Sequence, residues 1–200
     1  MIIEVNPDYP EPRKVRRAVE ALEAGEVIAY PTDTLYALGC DMLARRAIDH
    51  LYLLKMMPRT QQLALICPDL SDIAKYARVD DRTYRMLKRL LPGPYTCILE
   101  ASREVPRILH SKKKTIGIRV PQSPIIVEVV RALGRPVLST SAITQGGEPL
   151  RDASDVDTRW PSLPIVIDGG LCGIIPTTVV DLVEGVVVRE GAGPVDDLLG

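Results

Sequence analysis

Apolar residues in this chain gather in eight short runs, at 27–30, 63–67, 95–100, 115–120, 137–139, 165–167, 179–182 and 186–189. Runs of that length, bounded by turn residues, read as buried β-strands and are too short for core helices. Pro31, Pro68 and Pro121 each follow directly on a run. Proline has no N–H for a ladder, so those strands must stop there. Strands this short bury their side chains only inside one shared sheet.

Between the runs the period changes to that of a helix. Val15, Ala18, Val19 and Leu22 mark a helix over 12–24, with Gly25 as its terminator. Ala47, Ile48, Leu51 and Leu54 mark a second, which Pro58 should end, leaving Lys55 on its last turn. Helices are expected over 70–77 and 81–91, the latter closed by Pro92-Gly93-Pro94. A fifth is expected over 124–133, capped by Ser123 and Gly134. Strands and helices do not alternate strictly, which predicts a mixed α/β (α+β) fold: one domain over 1–200, with a twisted mixed sheet of about seven or eight strands and helices on its faces. The segment 143–157 reads as a surface loop or lid, and residues before Val5 and after Gly193 as frayed ends.

Composition narrows function by exclusion. With 25 basic and 26 acidic residues the formal charge is −1, so no global field draws the chain to nucleic acid or membrane, and any basic site must be local. No apolar run nears the ~20 residues of a membrane span and the N-terminus lacks a signal-peptide layout, so a cytoplasmic location is expected. Cys40, Cys67, Cys97 and Cys172 form no close pair and are expected as buried reduced thiols, and His50 and His110 sit in no metal or triad spacing. No metal-ligating set is expected. Glycine-rich loops of the Rossmann or Walker type are absent.

Three distant segments place hydroxyls or a cation where a strand or helix ends: Pro31-Thr32-Asp33-Thr34-Leu35-Tyr36-Ala37-Leu38-Gly39, Lys55-Met56-Met57-Pro58-Arg59 and Val137-Leu138-Ser139-Thr140-Ser141-Ala142-Ile143. Hydroxyls donate to phosphate and carboxylate oxygens, and lysine adds a compact positive charge. Together they outline an anion-binding cleft. Each also has a plainer reading: Thr and Ser shape turns, Asp33 suits a turn after proline, and Lys55 complements a helix dipole. Thr177 and Thr178 are ordinary strand residues and Arg189 an ordinary surface cation. Lys112-Lys113-Lys114, the one basic run, reads as a solvated loop.

The same segments, with Lys114-Thr115-Ile116-Gly117-Ile118-Arg119-Val120-Pro121 and Pro176-Thr177-Thr178-Val179-Val180-Asp181, resemble the threonylcarbamoyl-AMP synthase family of YrdC/YciO-like proteins over 25–191, most closely the YciO-like branch. The resemblance implies a fold with one deep positive cavity. The reaction implied joins ATP, bicarbonate and L-threonine into threonylcarbamoyl-AMP with release of pyrophosphate, for modification of an adenosine in tRNA. It implies ATP as substrate, with Mg²⁺, and as partners the small molecules, a weak RNA or tRNA contact and proteins of tRNA modification. By motif, Lys55 and Arg119 are the catalytic cations. Thr32, Thr34, Tyr36, Thr177 and Thr178 fall to the amino-acid side, and Ser139, Ser141 and Arg189 join Lys55 and Arg119 at the nucleotide, which Arg59, two residues past the motif's arginine position, is expected to reach by a different path.

The family pattern Lys-x-Arg and a serine loop ending in Asn meet Met57 and Ile143 here. Losing two charge-assisted contacts of about 1.5–3 kcal/mol each predicts a weakened synthase. Two other readings stand beside it: a hydrolase or transferase of nucleotidyl or carbamoyl groups using the same cleft, and an RNA-binding module without turnover.

Overall fold

The computed structural model describes residues 1–196. Its strands are β1 (Ile2–Glu4), β2 (Ile28–Tyr30), β3 (Ala37–Asp41), β4 (Ala64–Ile66), β5 (Tyr95–Glu100), β6 (Thr115–Arg119), β7 (Val137–Ser141), β8 (Ile165–Asp168), β9 (Thr178–Asp181) and β10 (Val186–Arg189). The helices are α1 (Pro12–Glu23), α2 (Arg45–Leu54), α3 (Leu70–Tyr76), α4 (Asp81–Leu90), α5 (Pro124–Leu133) and α6 (Ala153–Arg159), with a 3₁₀ turn at Arg107–Leu109. All ten strands join one mixed sheet in the order β1-β8-β2-β3-β7-β4-β6-β5-β9-β10.

The expected mixed sheet is present, with ten strands in place of seven or eight. The two extra strands had no period to reveal them. In β3 every residue is buried, so polar and apolar positions do not alternate, and its small Ala, Gly and Cys resemble a turn. β1 is three residues long and holds its place by parallel pairing of Ile3 with Ile167, where a frayed end was expected. The 143–157 segment carries α6 at its end. Asp152 caps that helix by accepting the Asp155 N–H, and only Ala153 and Val156 are buried, too few to show a period. Helix α2 stops at Leu54, ahead of Pro58, because Met56 takes a left-handed φ of 49°. After Gly193 the chain is tied down: the Gly193 carbonyl accepts from the Thr178 hydroxyl and the Pro194 carbonyl from Tyr95. The remainder of the expected frayed end, 197–200, lies outside the described residues.

Two cores flank the sheet. On one face α1 and α5 bury Val15, Ala18, Leu22, Ile126 and Val129 against Ile3, Ile28, Tyr30 and Ile167. Each wholly buried side chain of this size contributes about 1.5–3 kcal/mol. On the other face α2, α3, α4 and α6 pack Ile48, Leu51, Ile73, Leu87 and Val156 against Leu38, Leu65, Cys97 and Ile118. Since α1 and α5 cover the first face only as far as Val137 of β7 and Ile66 of β4, the rest of that face over β7, β4, β6, β5 and β9 stays open, and the main cavity lies there.

Candidate functional site

The cavity holds about 580 Å³. Its floor is hollow because inward sheet positions carry small side chains: Ala37, Ala64, Gly117 and Ser139 stand where Tyr30, Ile28 and Ile167 fill the covered part of the face. A β-carbon at Gly117 would lie 3.3 Å from Thr96 Cγ2. Loop residues 56–58, 61–63 and 143–145 form the walls. Among the described residues Lys55, Arg119 and Arg189 line it and no Asp or Glu does. A low-dielectric hollow with three cations and no carboxylate favours an anionic occupant.

Lys55 sits at the C-cap of α2, a position that the helix dipole favours for a cation. The structure adds a stronger constraint: its ammonium donates to the Ser141 carbonyl at 2.9 Å and to the Ile143 carbonyl, and lies 5.3 Å from the centre of the Trp160 ring. Burial, with Arg159 nearby, lowers its pKa to about 8. Lys55 thereby binds the serine loop to the end of α2.

Arg119, at the end of β6, is buried with its side chain 8% exposed. It pairs with Asp33, 11% exposed, and donates to Thr34 Oγ1 at 3.0 Å. Asp33 Oδ2 and Arg119 Nε have no protein partner. Desolvation pulls the arginine's pKa down and Asp33 opposes it. Thr32 organises this corner: its hydroxyl donates to the Leu35 carbonyl at 2.7 Å and accepts the Thr34 and Leu35 N–H groups, both at 3.2 Å. The hydroxyl-rich signature is therefore a turn that presents Asp33 and Thr34 to Arg119, and neither Thr32 nor Thr34 lines the cavity.

Ser139 and Ser141 both line the cavity, on the last half of β7. The buried Tyr30 hydroxyl donates to Ser139 Oγ at 2.6 Å. Ser139 is thus an acceptor toward the core, and its own hydrogen is free to donate into the cavity. Gly39 makes room for this bond, since a β-carbon there would lie 2.6 Å from Val137 Cγ1 and 2.8 Å from the Tyr30 hydroxyl.

Comparison with known proteins accords with this geometry. Residues 20–191 match the model of the Sua5/YciO/YrdC domain, described as "Telomere recombination". The chain belongs to the Sua5/YciO/YrdC family. It is 42% identical to the uncharacterised protein YciO of Escherichia coli over 200 residues, 98% of this chain and 97% of YciO. The crystal structure of that YciO superposes with a TM-score of 0.95 at 40% identity, covering 100% of this chain and 99% of that one. A threonylcarbamoyl-AMP synthase of Serratia proteamaculans is 31% identical over 179 residues, 86% of this chain and 94% of the synthase. Pyrococcus abyssi Sua5, crystallised with L-threonine, superposes with a TM-score of 0.91 at 28% identity, covering 99% of this chain and 59% of that one.

Of the other residues singled out by sequence, this Sua5/YciO/YrdC domain places some at the cavity and some away from it. Arg189 lines it, fixed by donation from Nη2 to the Thr177 carbonyl at 2.8 Å, and Thr177 lines it beside Thr96. Thr178 is wholly buried, its hydroxyl donating to Gly193 and accepting the Gly191 N–H. Tyr36 lies under the sheet and donates to the Gly170 carbonyl at 3.0 Å. Arg59 does not line the cavity: it pairs with Asp49 and stacks on Tyr52, 4.7 Å from the ring centre. Met57 and Ile143 do line it, Met57 accepting weakly from Thr140 at 3.9 Å. The four cysteines are buried and free, as expected, and Lys112, Lys113 and Lys114 are exposed.

Nothing in the local sequence signals Tyr30, Trp160, Gln61, Gln62 or Gln145 as site residues. Only tertiary proximity connects them to it, Gln61 and its neighbours from the wall and Trp160 through Lys55. Mg²⁺ takes hard oxygen ligands, and where a protein holds it one or two carboxylates usually anchor it, with waters and phosphates completing its shell. With no carboxylate on the lining, and no cluster of three metal-binding side chains among the described residues, the cavity does not fit a protein-held Mg²⁺. Among the described residues no helix is long and apolar enough to cross a membrane.

Proposed function

We propose that this protein forms threonylcarbamoyl-AMP from ATP, bicarbonate and L-threonine, at a rate lowered by Met57 and Ile143. The observation that carries the reading is the hollow lined by Lys55, Arg119, Arg189, Ser139 and Ser141 with no lining carboxylate among the described residues. The likeness to the Serratia synthase and to threonine-bound Sua5 supports the choice of substrates. Threonine's amine and bicarbonate combine to a carbamate with loss of water. A carbamate oxygen then attacks the α-phosphorus and pyrophosphate departs. Such a step depends on positioning and on neutralising charge on the phosphate oxygens, for which fixed cations and hydroxyl donors suffice.

In this assignment Lys55 and Arg189 meet phosphates, Ser139 and Ser141 donate to them, and Arg119, held by Asp33 and Thr34, fixes an anionic group of the amino-acid substrate. Thr32 and Thr34 act by shaping that corner. Arg59 is left out, because its guanidinium is engaged outside the cavity. The test is incubation with ATP, bicarbonate and threonine, reading pyrophosphate and the adenylate by mass. Pyrophosphate release that requires threonine supports the proposal. Adenine nucleotide bound without any threonine-dependent release would instead favour a hydrolase or transferase working in the same hollow.

A further inference from the structure

A second hollow, of about 930 Å³, opens where β5 ends and β6 begins. It shares no lining residue with the cavity described above. Arg78, Arg103, Arg107 and Lys114 line it against the single carboxylate of Glu100, in a chain whose formal net charge is −1. Glu100 is committed to Arg78 at 3.2 Å. Among the described residues Arg103, Arg107 and Lys114 have no carboxylate at ion-pairing distance, since Glu184 takes the neighbouring Lys113 and Glu104, though next to Arg103, bonds none of them. The sequence scatters these cations across three segments, and only the fold converges them.

Lys114 adds a second, independent observation. It has a left-handed φ of 58°, a conformation that glycine adopts freely and lysine does not. The turn is closed by backbone bonds, from the Lys114 N–H to Ser111 and from the Ala101 N–H to Lys114, so its closure needs no lysine side chain. The side chain instead adds a cation to the hollow. Among the described residues no Phe, Tyr or Trp lines it, and its one ring, that of His110, is tied through Nε2 to the Val105 carbonyl at 3.0 Å, so a base would find no broad stacking platform there.

We propose that this hollow is a second anion site, taking a compact polyphosphate through its clustered phosphate oxygens and leaving any attached base unread. The proposal does not rest on the synthase reading. Calorimetric titration with inorganic tripolyphosphate should find two sites per chain, one in each hollow. Arg103→Ala with Arg107→Ala should remove one of them or weaken it at least about tenfold, leaving the other unchanged. Lys114→Gly should weaken the same site several-fold while melting no lower than wild type without anion, because the strained φ is relieved. Those opposite signs separate recognition from folding. ATP should bind this site within a few-fold of tripolyphosphate. Full retention of both sites in the arginine double variant would overturn the proposal. So would a strong preference for ATP, or duplex RNA displacing tripolyphosphate from this site at far lower concentration.

Discussion

Replacing Asp33 with alanine should cost this protein about 3 to 5 kcal/mol, although the change removes a small residue from a turn. The reason is Arg119. Its guanidinium is 8% exposed, and Asp33 is the one carboxylate at ion-pairing distance among the described residues. Deleting that partner leaves a desolvated positive charge, while Arg119 Nε already lacks an acceptor. Thr34 Oγ1 still accepts at 3.0 Å, which places the loss near the lower figure. For a domain of this size 1 kcal/mol corresponds to about 2–4 °C, so the melting point should fall by about 6–12 °C. Urea unfolding followed by far-UV dichroism gives the free energy, with an unchanged m-value as the check that only the folded state was altered. Arg119→Met with Asp33→Leu removes both charges together and should lie within about 1 kcal/mol of wild type, because no ion is left unpaired. A loss below about 1 kcal/mol for Asp33→Ala, or a double variant as unstable as the single one, would show that the pair is solvated and refute the reasoning.

Met57→Arg with Ile143→Asn should raise threonylcarbamoyl-AMP formation by roughly 10²-fold or more, mainly in kcat, since two lining side chains without donors gain them. A wild-type rate already matching the synthases would overturn this. Lys55 should set an alkaline limit on triphosphate affinity: its folded pKa of about 8 lies below the ordinary lysine value, so binding should weaken as pH rises through 8. The sign for stability is opposite. The folded state holds fewer protons than the unfolded state between about pH 8 and the usual lysine range, so the Lys55 penalty, complete below 8, should fade as pH rises. Comparing wild type with Lys55→Met in titrations and melts checks both. Gly39→Ala should destabilise by about 1–3 kcal/mol, because its β-carbon would overlap Val137 and the Tyr30 hydroxyl. Tyr30→Phe should partly relieve that loss in a double-mutant cycle.

Wherever one stretch of chain carries its own signal, the sequence was sufficient. The period in Val15, Ala18, Val19 and Leu22, with Gly25 at φ 78°, defines α1 within a residue, and Pro124 with Gly134 frames α5 as observed, although the Ser123 hydroxyl makes no capping bond and donates instead to the Pro31 carbonyl at 3.1 Å. The apolar run of β5 is found residue for residue. Lys55, Ser139 and Ser141 were legible as chemistry at element ends, and Arg119, Thr177 and Arg189 only through the family resemblance; all six meet around one cavity. Tertiary structure alone decided what each of them is bonded to. Asp33 and Arg119 lie 86 residues apart, and Tyr30 and Ser139 lie 109 apart, so their pairing depends on strand order and register, which local propensity does not encode. The same holds for β3, whose small buried residues become a strand only when β2 and β7 supply partners. Arg59 gave the converse lesson: a cation expected at the nucleotide from two residues past the motif position is held outside the cavity by Asp49 and Tyr52, both on α2. A sequence lists the charges and hydroxyls, and long-range packing determines which are consumed internally and which still face a ligand.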